Sequence, residues 1–309
     1  MKTKAQKIKM ALKKNITGYL FISPWLIGFV IFSLFPMLAS FFLSFTDWTM
    51  LSPPQWIGLE NYSNILLEDK LFFKSLYNTF YFVLFSVPLS MIFSLFLAIL
   101  LNQKVRGLSI FRTIFFLPSI TNVVAVSVLW VWIFNPEFGL INTFLTNIGI
   151  VGPYWFQDEN WSKPALIIMS LWNVGGGMII YLAALQNVPQ ELYEAAEIDN
   201  AGFWMKLRKI TIPMISPAIF FNLIISIIGS LQVFTQAFVM TGTQQPGMEG
   251  GPNQSTLFYV LYLYKKAFQE FKMGYASALA WILFLIILIF TFIQFKWVNK
   301  KVYYEKGEG

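Results

Sequence analysis

The sequence predicts an all-α polytopic membrane protein with six transmembrane helices and both termini in the cytoplasm. Three observations carry that expectation. The 309 residues are 57% hydrophobic and only 12% charged, whereas a soluble domain carries about 25% charged residues. The charges are unevenly placed and leave apolar gaps long enough for helices of about 20 residues. Finally, 33 Phe and 11 Trp supply side chains that favour lipid and its interfaces. There are no cysteines and no histidines, which excludes disulfides, thiolate chemistry, His-based triads and the usual zinc sites.

The six gaps lie within 15–46, 75–103, 113–136, 164–190, 210–248 and 273–295. The first could be mistaken for a secretory signal, because Lys residues precede it. Its apolar stretch is too long for a signal core and is broken by Pro24 and Pro36, so it reads as a retained span. Asp47, Trp48 and Trp56 then mark the external interface. A seventh gap, 138–157, contains Gly139, Asn142, Asn147, Gly149, Gly152 and Pro153. It has no sustained apolar run and reads as a segment lying on the bilayer, with a seventh span as the alternative. The Gly- and Pro-rich loop TGTQQPGMEGGPNQST is expected to lack regular structure. The chain divides into a basic N-terminus (1–14), one membrane domain (15–298) and a tail (299–309).

Counting Lys and Arg between the spans sets the orientation. With the N-terminus inside, 16 lie inside and 6 outside. The positive-inside rule therefore places both termini and the 189–213 segment in the cytoplasm. The basic residues sit at span ends, which removes nucleic acid as an explanation of the net charge of +7.

That segment, PQELYEAAEIDNAGFWMKLRKITIP, is the longest mixed-charge stretch between spans. Pro189 suits a first helical position, and Glu191 suits the first turn, where the helix dipole favours acid. Leu192, Tyr193, Ala195 and Ala196 form an apolar ridge beside Glu191, Glu194 and Glu197. Asn200 and Gly202 both tolerate the left-handed conformation that ends a helix. A second helix from Phe203 would place Phe203, Leu207 and Ile210 on one face. A helix–turn–helix with an apolar ridge can seat in a partner's groove; an amphipathic loop resting on the bilayer is the alternative.

Polar residues at membrane depth mark candidate pathways. Asn222, Ser226 and Ser230 share one helix face in the fifth span, and Gln232 and Gln236 form another i, i+4 pair. Asn122 lies beyond Pro118, and Asn173 sits beside Trp172. Amides, hydroxyls and Trp faces suit a neutral polyhydroxylated solute. The alternative is that these groups only join helices. Gly175, Gly176 and Gly177 allow close backbone approach or local unwinding. No ionisable residue lies in mid-span, which argues against an ion-coupled secondary transporter. No G-x-x-x-x-G-K-[ST] loop is present to hold ATP. A scaffolding membrane subunit remains the third alternative.

Glu194-Ala195-Ala196, followed at the matching distance by Ile210, Ile212 and Pro213, resembles the EAA loop of ABC-transporter permeases. That motif has Gly where this chain has Asn200, and Leu where it has Ile212. The blocks SPWLIGFVIFSLFPMLASFFLSFTDW at 23–48, FRTIFFLPSI at 111–120, WIFNPEFGLIN at 132–142 and GGP at 250–252 are similar to the first permease of maltose-type sugar importers. The resemblance implies a MetI-like permease core plus an extra N-terminal helix, in the inner membrane of a bacterial cell. It implies a second homologous permease, two ATPase subunits that bind the ATP, and an extracytoplasmic sugar-binding protein. The permease itself would need no cofactor. Glu191, Glu194, Ala195, Ala196, Asp199, Asn200, Ala201, Gly202, Ile210 and Pro213 would couple to the ATPase. Ser226 and Ser230 fall where such permeases contact sugar, with Asn173 and Gly176 near other contacts. Asn122, Trp172, Asn222 and Gln232 complete the expected pathway.

Overall fold

The structure is a computed structural model and describes residues 4–103, 106–242 and 250–298. The expected tail, 299–309, and Lys104 of the loop after the second span lie outside the described residues. The chain forms two compact units, one from 1–68 with 266–282 and the other from 69–265 with 283–309.

In the first unit, α1 (Lys4–Phe29) passes through a π-helical turn (Val30–Leu34) into α2 (Phe35–Leu43). The most apolar stretch of Gly18–Leu43 buries nothing against protein, as suits a helix whose whole circumference meets lipid or a partner. The π turn answers a local problem. Proline's ring collides with the carbonyl four residues before it, and Pro36 would meet that of Phe32. Widening the turn moves the bond to Phe35 N–H and the Val30 carbonyl, five residues apart. After α2 the chain makes a two-stranded hairpin, β1 (Thr46–Asp47) against β2 (Gln55–Trp56), and then α3 (Glu60–Leu67). The all-α expectation did not include this hairpin. Asn61 fixes it by donating to the Ser44 and Thr46 carbonyls at 3.0 and 2.9 Å, and Tyr62 donates to Ser44 Oγ at 2.7 Å. Gly274 approaches the Thr46 carbonyl so closely that a Cβ there would overlap it.

The second unit opens on α4 (Lys70–Leu101), whose first N–H groups are capped by Asp69. The third expected span is instead two helices, α5 (Leu108–Ile120) and α6 (Val123–Ile133), bent by 99°. Thr121 is extended between them, and Asn122 restarts the chain by accepting from Val124 N–H at 2.8 Å. The 138–157 gap holds only α7 (Leu140–Asn147) and a 3-10 turn, neither long enough to span. The fourth span is α8 (Ser162–Ser170), a 3-10 turn to Asn173, and α9 (Gly175–Gln186), bent by 45°. Gly175 allows this approach, since a Cβ would strike the Phe115 carbonyl.

Next come α10 (Gln190–Ile198), α11 (Phe203–Lys206), a π turn (Leu207–Thr211) and α12 (Ile212–Met214). α13 (Ser216–Leu231) leaves α12 at 68°. This π turn again lies just before a proline: Ile212 N–H reaches the Leu207 carbonyl, and Pro213 follows. α14 (Thr235–Gly242) is separated from α13 by the break at 232–234. After a 3-10 turn at Pro252–Gln254, α15 (Tyr259–Tyr264) runs into a third π turn (Lys265–Gln269). Regular structure therefore reaches into the loop expected to lack it. α16 (Met273–Val298) contributes its first part to the first unit and the rest to the second.

Among the described residues three helices are long and apolar enough to cross a membrane, and the number rises to as many as six if each bent pair is one span. Inside the second unit α4, α9 and α13 meet around Ala98, Leu101, Met178, Tyr181, Leu182, Leu185 and Ile215. Lipid is as apolar as these side chains, so close packing rather than removal from water holds them together.

Candidate functional site

The helix packing leaves a ladder of polar side chains between α4 and α13. On α4, Ser86, Ser90 and Ser94 recur at i, i+4 and i+8, and Asn222, Ser226 and Ser230 repeat that spacing on α13. At one end the ladder is closed. Ser94 Oγ donates to the Val174 carbonyl at 3.0 Å, and buried Asn222 meets the Tyr181 side chain. Gly177 makes this possible, because a Cβ would come within 2.8 Å of Ser94 Oγ and 2.9 Å of Asn222 Nδ2. Asn222 thus bridges α13 and α9 at this end of the ladder.

Further along, the helices separate around a cavity of about 500 Å³ lined by Ser86, Ser90, Ser170, Asn173, Ser226 and Ser230. The break after α13 adds Gln232, and α14 adds Thr235 and Gln236. The expected i, i+4 pairing of Gln232 with Gln236 fails because the helix ends at Leu231, yet both amides reach the cavity. A narrower chamber of about 60 Å³ shares Phe82, Ser170, Asn173 and Gln236 and is walled by Trp172. Trp172 is half exposed and meets Trp130 edge-on at 6.1 Å.

Among the described residues, no charged residue lines either space. The Ser86 hydroxyl is buried and has no hydrogen-bond partner among the described residues. A buried donor left unpaired is uncommon and costly, and here it borders the cavity. Of the expected pathway residues, Asn173, Ser226, Ser230 and Gln232 come together and Trp172 stands next to them. Asn122 caps α6 and Gly176 faces open space; neither lines the cavity. Ser86, Ser90, Ser170 and Thr235 did not figure in the expected set. The i, i+4 spacing of Ser86 and Ser90 was the available signal, the same one that drew notice to α13.

The 189–213 segment is a helix–turn–helix. Pro189 is the residue before α10 rather than its first helical residue, and Glu191 occupies the first turn. α10 ends with Asp199 as its cap and Asn200 left-handed at φ 55. Ala201 N–H reaches the Ala196 carbonyl at 2.8 Å and Asn200 N–H that of Glu197 at 3.0 Å, the paired bonds of a Schellman turn. Gly202 instead is extended, with φ −69 and ψ 169, and starts α11. The expected ridge is rearranged. Ala196 is buried, and Tyr193 turns to Thr211 at 2.9 Å. Ile198 and Trp204 project into the open, 84% and 77% exposed, with Phe203 and Met205 beside them. Glu191, Glu194, Ala195, Glu197 and Asp199 are exposed, whereas Ala201, Ile210 and Pro213 are partly covered.

Residues 25–303 match the family model described as the binding-protein-dependent transport system inner membrane component. The chain is 42% identical over 305 residues to the probable ABC transporter permease protein YesP of Bacillus subtilis (strain 168), covering 98% of this chain and 97% of that relative. It is 37% identical over 288 residues to the lactose transport system permease protein LacF of Rhizobium radiobacter, covering 91% and 93%. Its fold matches a chain of the crystal structure of a bacterial alginate ABC transporter in complex with an alginate pentasaccharide-bound periplasmic protein. The TM-score is 0.82 at 23% identity, with 94% of this chain and 96% of that chain covered. Family and fold replace the secondary-transporter alternative. The chain belongs to the family of inner-membrane components of binding-protein-dependent transport systems, as a membrane permease and not a catalytic subunit.

Proposed function

We propose that the chain is a permease subunit of an ATP-driven sugar importer, forming half of the translocation pathway for a neutral sugar, by expectation an oligosaccharide. The observation that carries this reading is the polar cavity, lined by no charge among the described residues, with the Ser86 hydroxyl unpaired among them at its edge. Hydroxyls and amides spaced along facing helices can exchange hydrogen bonds with a polyhydroxylated solute as it sheds water. A buried group that lacks a partner gains most from such a bond. Trp172 offers an apolar ring face next to that site. Relatives whose names include lactose and arabino-oligosaccharide transport support the substrate class.

In this reading Asn173, Ser226, Ser230, Gln232 and Ser86 contact sugar. A second homologous permease supplies the other wall, two ATPase subunits bind ATP, and an extracytoplasmic sugar-binding protein delivers the substrate. The Lys and Arg distribution supports cytoplasmic termini and a cytoplasmic 189–213 segment. There Glu191, Glu194 and Ala195, with exposed Ile198 and Trp204, would sit in a groove on the ATPase. Aliphatic and aromatic side chains left bare between charges suit such a docking helix.

Replacing Ser226 and Ser230 together by Ala tests the pathway. Uptake into proteoliposomes should fall about tenfold, as loss of two hydrogen bonds of about 0.7 kcal/mol each implies. The complex should still assemble with an unchanged melting temperature. Wild-type uptake kinetics in the double variant would remove this face from the pathway.

A further inference from the structure

The importer reading assigns the 189–213 segment to a partner but leaves open how a push on α10 could reach the membrane helices. Two helical arms joined by Asp199–Gly202 could simply fold about that turn and absorb the motion. Side chains bridge the two arms. Tyr193 and Glu197 stand at i and i+4 on one face of α10. Across from them, Thr211 is buried at the end of the π turn, and Lys206 lies at the end of α11.

Tyr193 Oη lies 2.9 Å from Thr211 Oγ1. Thr211 Oγ1 in turn donates to the Lys206 carbonyl at 3.4 Å, which makes Tyr193 the donor in the first bond. Lys206 Nζ closes the circuit onto Glu197 Oε1 at 2.8 Å. The π turn matters because its added width puts the Thr211 side chain beside a carbonyl five residues back. The Lys206–Glu197 pair is weaker on its own, since Glu197 is 67% exposed and water screens it. The Tyr193–Thr211 bond is sheltered; breaking it takes from the Tyr193 hydroxyl its acceptor and leaves Thr211 with only the longer bond to the Lys206 carbonyl.

We propose that Tyr193, Thr211, Lys206 and Glu197 lock the two arms into one rigid lever. Displacement of α10 then reaches the start of α13 instead of being absorbed in the turn. The lever ends at Ile215, which is 1% exposed in the core shared with α4 and α9, where α13 departs at 68°. That bend is the pivot. The transmitting role rests on the importer reading; the lock itself does not.

The absence of native cysteines permits a direct test. Glu191→Cys and Arg208→Cys, both exposed and one on each arm, carry spin labels in the purified full-length chain in lipid nanodiscs. Pulsed electron resonance then reads the distance distribution between the arms. The parent should give one narrow distribution. Tyr193→Phe and Thr211→Val should each broaden it to a similar extent, the double variant no further, and Thr211→Ser should restore it. The melting temperature of Tyr193→Phe is measured alongside, and broadening below the transition supports the lock. A distribution as narrow as the parent's in Tyr193→Phe and Thr211→Val would overturn it. Broadening in the variants, combined with no ATP-driven uptake by the parent chain in proteoliposomes that contain the complete importer, would leave the lock standing and count against the importer reading.

Discussion

Asn200 holds a backbone angle of φ 55 at the end of α10, where the resembling motif carries Gly. The residue type made the turn legible, because Asn accepts the left-handed region better than other side-chain-bearing residues. Gly202 was equally permissive by type but is extended, since only one left-handed residue is needed to close the Schellman turn. Asn200→Ala should cost about 1 kcal/mol, the penalty of an ordinary side chain in that region, and Asn200→Gly should be neutral or better. Thermal unfolding of the two variants in detergent measures both. Ser86 and Ser94 make a similar pair of near equals in the sequence. Nothing in their spacing distinguished the hydroxyl bound to the Val174 carbonyl from the one left unpaired at the cavity, because the difference lies in how α9 approaches α4.

The spans were legible because charge is expensive in lipid, so gaps between charged residues trace them. Their breaks were not. α5 and α6 part at Thr121 and Asn122, α8 and α9 at the 3-10 turn before Gly175, and α12 and α13 at Ile215. Each break replaces lost backbone bonds with local ones, such as the Asn122 cap, and hydropathy is blind to that exchange. Pro36 was visible as a break in the first apolar stretch and Pro213 as part of the motif, whereas the π turns that carry the chain past them depend on the whole turn relaxing. Where α9 meets α4 and α13, Gly177 sets how closely they approach. Gly177→Val would press a branched side chain onto Ser94 and Asn222. It should destabilise the α4–α9–α13 core by about 1–3 kcal/mol, read as a lowered melting temperature. An unchanged melting temperature would mean that the helices part easily and that the ladder's closed end is not held by packing.

Across the whole chain, the family assignment followed from blocks spread over nearly its full length, and the relatives match it over most of theirs. The division of labour is physical. An exposed, charged helix–turn–helix adjoins α13, and α13 in turn carries Ser226 and Ser230 to the polar cavity. On the proposed reading, force and substrate would share one continuous stretch of chain, with the buried Ile215 between them. The central claim is that events at α10 drive passage through the cavity. It is tested most directly by ATP-driven sugar uptake in proteoliposomes containing the complete importer, comparing the parent with Glu194→Lys. The sugar is whichever of lactose or arabino-oligosaccharides raises the melting temperature of the importer's binding protein. The account expects uptake to be lost in Glu194→Lys, along with ATPase stimulation by the sugar-loaded binding protein, while the chain still inserts and folds. Uptake and stimulation equal to the parent's would contradict it.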